Sequence, residues 1–186
     1  MASSSPQPIF YYDLADPGCY LVAERTMSEL PVVPEWEPVL GVQLGWVPPP
    51  PTDALAELVT ESGLQPLRLP SVWPPDSELA MLVATYAKAV GRAVAFSLAA
   101  FRQAFAGGRD LGDEGTVLIA AAACEMHPTA VLKGVRLRSV KNGLRGAGER
   151  AAAAGVSALP AIAVGTEVFE GSDCLERAAE ALAVKR

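Results

Sequence analysis

Asp16 and Cys19 are the residues of this chain best placed to do chemistry. They sit in the run Asp16-Pro17-Gly18-Cys19, directly after the apolar and aromatic stretch Ile9 to Leu14. Proline suits the first position of a helix, and aspartate suits the N-cap before it. Cys19 would then lie in the first helical turn. There the backbone N–H groups are free and the helix dipole is positive, which favours a thiolate or a bound anion. A second segment lies far downstream, Gly155-Val156-Ser157-Ala158-Leu159-Pro160-Ala161-Ile162. Pro160 interrupts an apolar run there, where a proline would break a central ladder. Together the two segments mark a place to handle a thiol or a thiol-bearing ligand.

The other reactive side chains read more simply. Cys19, Cys124 and Cys174 are the three cysteines, and no two are spaced as CxxC. No disulfide framework and no metal site is expected, and the thiols should be free. Cys124, within a run of alanines, reads as core, whereas Cys174 reads as a surface residue or a modest ligand contact. His127 precedes Pro128 and reads as a loop or cap residue. Lys133, Arg136, Arg138, Lys141 and Arg145 form the longest basic run, expected on a solvated helix face. Tyr11, Tyr12, Tyr20 and Trp36 surround the Asp16 turn in sequence and read as core aromatics. Trp46 and Trp73 flank proline-rich loops, where a cap over the site could form.

The bulk composition excludes several classes. A net charge of −6 disfavours nucleic acid as a partner, because phosphate contacts need clustered Lys and Arg. Hydrophobic residues at 51% and charged residues at 19% give a globular composition. No window of the chain reads as a membrane span, and Met1 to Pro8 lacks the pattern of a signal peptide. A reducing cytoplasm is the default compartment, and the composition leaves a small-molecule substrate open.

The elements needed to hold the two segments follow in order. Residues 9–14 predict a strand, and a helix runs from Pro17 to about Leu30, stopped by Pro31. Val32 to Leu40 predicts a second strand, at a sheet edge because of Pro34 and Pro38. Pro48 to Pro51 must be extended, as a stiff spacer. Helical patterns then follow from Thr52 to about Ala154, including one opened by Ser77-Glu78, and Gly155 ends the last. Pro160 to Val164, a Gly165-Thr166 turn and Val168 to Glu170 predict a hairpin, and Gly171-Ser172-Asp173 caps a final helix. The order is β-α-β, a block of helices, then β-β-α. It predicts an α/β fold whose parts are a sheet domain at 8–51 and 155–186 and a helical insertion at 52–154.

This plan resembles a thioredoxin fold of the DsbA-like branch, which carries an all-helical insertion domain. More narrowly, the chain is similar to 2-hydroxychromene-2-carboxylate isomerases and kappa-class glutathione transferases. The resemblance rests on Asp16-Pro17-Gly18-Cys19-Tyr20-Leu21, Trp36-Glu37-Pro38-Val39-Leu40-Gly41, Leu69-Pro70 with Pro74 to Ser77, Gly155 to Pro160, and Phe169-Glu170-Gly171-Ser172-Asp173. It implies that glutathione, or another small-molecule thiol, is the cofactor. It implies a cis peptide before Pro160, and that the backbone of Leu159 pairs with the cysteinyl part of the ligand. Ser172 and Asp173 would hold its γ-glutamyl end, and the thiol-activating position falls on residue 16. A homodimer is one option the resemblance offers, although the residues carry no oligomerisation signal.

The chain departs from that pattern at its most reactive point. Disulfide oxidoreductases of this fold have cysteine at both ends of the turn, and the isomerases and transferases have serine at the first end. Here Asp16 stands there, with Cys19 alone at the other end. A dithiol cycle needs an attacking and a resolving thiol. An ionised Asp16 would repel a thiolate about 4 Å away by roughly 1 kcal/mol in water and about 4 kcal/mol at a surface-like dielectric. Three accounts stay open: an acid/base site retuned around Asp16, a monothiol oxidoreductase site on Cys19, and a cleft that binds without catalysis.

Overall fold

A computed structural model describes residues 7–184 of the chain. Most of the segment read for a leader, residues 1–6, lies outside the described residues. The strands are β1 (Ile9–Tyr12), β2 (Glu35–Pro38), β3 (Ala161–Val164) and β4 (Glu167–Glu170). The helices are α1 (Pro17–Glu29), α2 (Asp53–Glu61), α3 (Glu78–Ala89), α4 (Ala93–Phe105), α5 (Glu114–Ala122), α6 (Pro128–Gly134), α7 (Arg138–Ala153) and α8 (Cys174–Val184).

The sheet order is β2-β1-β3-β4. β1 runs parallel to β2, with Phe10 opposite Trp36, and antiparallel to β3, with Tyr11 opposite Ala161. β3 and β4 form the antiparallel hairpin. β2 is an edge, as its prolines require. The strands before the Asp16 turn and after Pro160 are thus direct neighbours, and their register carries the two distant segments to the same end of the sheet.

Aromatic packing explains why β1 is central. Phe10 stacks on Tyr12 at 5.3 Å between centroids and meets the edge of Trp36 at 5.1 Å. The Tyr12 hydroxyl, buried, shares a hydrogen bond of 2.7 Å with Ser97 Oγ of α4. Tyr20 of α1 packs near Phe101 and Phe105 of the same helix α4. α8 lies on β3 and β4, and α3 and α7 contact β2. The helices between β2 and β3 therefore share one continuous apolar core with the sheet. A cluster of that kind, rather than helix propensity, stabilises helices this short.

Several elements differ from the sequence expectations. The first two strands are shorter, because β1 turns after Tyr12 and the prolines around β2 restrict its pairing to Glu35–Pro38. Ser77 stands at the N-cap of α3, but its side chain makes no cap bond and reaches instead to Asp13. Cys174, expected at the surface or as a modest ligand contact, is fully buried, because the first turn of α8 faces the sheet it packs on. His127 does cap α6: its Nδ1 accepts from the Thr129 N–H at 3.2 Å.

Candidate functional site

Local chemistry fixes the Asp16 turn first. Asp16 is extended, and its Oδ1 accepts from the Gly18 N–H at 2.9 Å, an N-cap bond for α1. Its Oδ2 accepts from the Cys19 thiol at 3.2 Å. The Asp16 N–H donates to the Asp13 carbonyl at 3.2 Å, closing the turn that leaves β1. Both members of the pair are buried, Asp16 at 4% exposure and Cys19 at 0%.

Burial sets the electrostatics. It pushes the Asp16 carboxyl from its ordinary value up to about 6, against the hydrogen bonds from Gly18 and Cys19 that hold it down. Burial, followed by the charge of Asp16, pushes the Cys19 thiol well above its usual range. Cys19 is therefore a proton donor to Asp16 and not an exposed thiolate. The positive end of α1 does not reverse this, because the cost of desolvating a buried thiolate outweighs it. Cys174 lies within reach of the same charge. Burial first, then nearby carboxylates including Asp16, push its thiol up to about 12.

Asp13 organises the turn from behind. Its Oδ1 accepts from the Ala15 N–H at 2.9 Å and from Ser77 Oγ at 2.6 Å, and its Oδ2 accepts from the Gly41 N–H at 2.8 Å. One buried carboxyl thus ties together the end of β1, the turn after β2 and the start of α3. Desolvation raises its pKa, opposed by those bonds. The sequence carried a signal for this, an acid directly after a strand, but not its partners at 41 and 77.

The second segment meets the first at Gly18. A Cβ built there would lie 3.3 Å from each Asp16 carboxyl oxygen and 3.4 Å from Pro160 Cδ. Glycine is what lets the start of α1 and the proline loop approach this closely. The Leu159–Pro160 peptide bond is cis. The loop before it is clamped by Glu170, whose Oε1 accepts from the N–H groups of Ser157, at 2.5 Å, and Ala158, at 3.0 Å. The Pro160 carbonyl accepts from the Gly171 N–H at 2.9 Å. Among the described residues, the N–H and C=O of Leu159 form no hydrogen bond.

A cleft of about 220 Å³ lies between these parts. Asp16, Pro17 and Gly18 form one wall, Leu159, Pro160, Gly171 and Ser172 another, and Pro49 to Pro51 with Thr52 and Leu55 a third. The run of prolines, expected as a spacer, is a wall of the cleft. Trp46, expected as a cap there, lines a neighbouring cavity instead. Asp173 stands off the cleft lining, exposed, with its carboxylate 3.6 Å from Arg177. No group of His, Cys, Asp and Glu among the described residues is arranged to hold a metal ion, and no described helix is long and apolar enough to cross a membrane.

The family model of the DSBA-like thioredoxin domain matches residues 52–183. The chain belongs to the DsbA-like thioredoxin domain family. That match spans the inserted helices, the hairpin and α8, and it begins after the Asp16 turn. No curated protein matches in sequence. Among solved structures, the chain is similar to a 2-hydroxychromene-2-carboxylate isomerase, with a TM-score of 0.82 at 17% identity over 95% of this chain and 94% of that one. It is similar to a probable DsbA oxidoreductase from Streptomyces coelicolor, with a TM-score of 0.77 at 18% identity over 97% and 89% of the two chains. The cytosolic disulfide reductase DsbM from Pseudomonas aeruginosa, also solved with GSH, gives 0.68 at 13% identity over 96% of each chain. At such identities the likeness is one of fold: a four-stranded thioredoxin sheet with inserted helices.

Proposed function

We propose that the cleft between Asp16 and Leu159–Pro160 binds a small-molecule thiol of the glutathione type. Asp16 moves its proton in isomerase or transferase chemistry on a small aromatic or otherwise electrophilic substrate. What carries this reading is the buried Asp16 carboxyl standing in the cleft wall, where desolvation pushes it up to about 6. A group that titrates near neutrality can accept the proton of a thiol as the sulfur attacks carbon, and return it when that bond breaks. An ordinary aspartate, near 3.8, is too weak a base to do so well.

The cleft supports the ligand class. The unpaired N–H and C=O of Leu159 offer a strand edge to a peptide-like backbone. About 220 Å³ suits the cysteinyl part of a tripeptide more than the whole of it, since drug-sized ligands fill roughly 300–1,000 Å³. The γ-glutamyl end would then run towards Ser172 and the exposed Asp173, whose carboxylate suits an ammonium. A reducing compartment such as the cytoplasm fits three free, buried cysteines.

Disulfide exchange on Cys19 finds less support. The thiolate is the attacking species, and this thiol is buried, protonated and without a partner cysteine in its turn. Binding without catalysis is the second reading, favoured by the two protein hydrogen bonds that already occupy the Asp16 oxygens. Calorimetry with glutathione, followed by its coupling to 1-chloro-2,4-dinitrobenzene, separates the readings. Saturable heat and a rate above background that falls in Asp16→Asn support the proposal. Heat without rate supports binding alone, and no heat at millimolar glutathione rejects both.

A further inference from the structure

A second and larger cavity, about 420 Å³, lies beside the first. The two share the same partitions. Ala15 and Pro48 line the larger cavity, and the next residues, Asp16 and Pro49 to Pro51, line the smaller one. The two cavities are therefore lined by consecutive residues of the same two segments.

Its walls are apolar and its charges are all of one sign. Leu40, Trp46, Pro48 and Pro75 form the walls. Val42 and Val47 at the mouth are 69% and 56% exposed, an apolar rim around a concave surface that would profit from being covered. Asp13, Asp76 and Glu78 line it, and none of its lining residues is basic. The Asp13 oxygens are taken by Ala15, Gly41 and Ser77, so a ligand meets the other two. Neither Asp76 nor Glu78 is ion-paired among the described residues. Trp46, packed against Gly41, adds an aromatic side chain to the lining, a residue type that favours cations.

We infer that this cavity binds an apolar organic cation, such as an aromatic amine or a quaternary ammonium. An anion of the same shape would meet the carboxyl groups of Asp76 and Glu78 and no basic lining residue, on a chain of net charge −6. A neutral aromatic would fill the walls but leave the charge of the rim unused. The binding claim stands by itself; that the cavity adjoins a site for a thiol beside Asp16 rests on the proposal above.

The test is calorimetry on the full chain with benzyltrimethylammonium and with benzoate, which are similar in ring size and opposite in charge. The expected result is saturable binding of the cation at least about tenfold tighter than benzoate. The double variant Asp76→Asn/Glu78→Gln should then weaken the cation about fivefold or more. Asparagine at 76 keeps an acceptor for the Glu78 N–H, which Asp76 Oδ1 binds at 3.0 Å. Benzoate binding as tightly as the cation overturns the inference, as does absence of cation binding at millimolar concentration or an unchanged affinity in the double variant. Glutathione titrated into the same sample keeps the two claims apart. Its failure to bind removes the thiol reading alone, and failure of the cation removes this one alone.

Discussion

The Cys19 thiol donates to Asp16, with Sγ 3.2 Å from Oδ2, and both groups are buried beneath the first turn of α1. The cysteine that looks like a nucleophile in sequence is the hydrogen-bond donor of a neighbouring acid. That acid is the group open to the cleft.

Asp16 makes the fold less stable as pH rises. Its folded pKa of about 6 lies above the ordinary 3.8, so the native state holds the proton more tightly than the unfolded chain. Below about pH 4 both states are protonated and the group has no effect; above about pH 6 the full penalty acts, about 3 kcal/mol. Asp16→Asn should therefore raise the urea midpoint at pH 8 and change it little at pH 4. Asp13, also raised by burial, leaves a residual slope of the same sign. Equal stability of variant and parent at pH 8 would contradict the buried, desolvated carboxylate.

Cys19 should resist alkylation. With no exposed surface and a thiol pushed well above its usual range, it should remain unlabelled by iodoacetamide at neutral pH in the folded state. Cys174, pushed up to about 12, should behave likewise. Mass spectrometry after a timed reaction, with and without urea, reads this directly. Rapid labelling of Cys19 in the native protein would restore the monothiol mechanism.

Asp13 should matter more for stability than its neighbour. Asp13→Asn places an amide donor against either the Gly41 N–H or the pair from Ala15 and Ser77. The expected loss is about 2–4 kcal/mol, because buried donors go unpaired. Ser77→Ala removes one bond and should cost about 1 kcal/mol. Denaturant titrations of the two variants should keep that order, and a reversed order would deny Asp13 its tie between strand and insertion.

Glu170 should act on binding more than on folding. It holds the Ser157 and Ala158 N–H groups, and so the loop that presents Leu159. Glu170→Ala should lower stability by only about 1–2 kcal/mol. Its glutathione affinity should fall several-fold, and Glu170→Gln, which keeps one acceptor, should recover part of it. Calorimetry beside a melting curve checks this, and an affinity that does not move would make the clamp purely structural.

Much of the frame was legible in the chain. Proline after aspartate announced the start of α1, the prolines around Trp36 announced an edge strand, and Gly165-Thr166 announced the hairpin. These are local rules of backbone geometry, and neighbours a few residues apart enforce them. The departures share one cause. Ser77 opens α3 as expected, but its side chain reaches across 64 residues to Asp13. Pro49 to Pro51 were read as a spacer and wall the cleft, Trp46 belongs to the adjoining cavity, and Cys174 is core.

The sequence by itself determined the order of elements and the family plan, because capping, proline placement and apolar periodicity act over a few bonds. Only the tertiary structure decided what Asp16 and Cys19 are to each other. The protonation of a buried acid depends on how much water the surrounding elements exclude, and α4, α8, the proline strap and the Leu159 loop come together there only after the chain has folded.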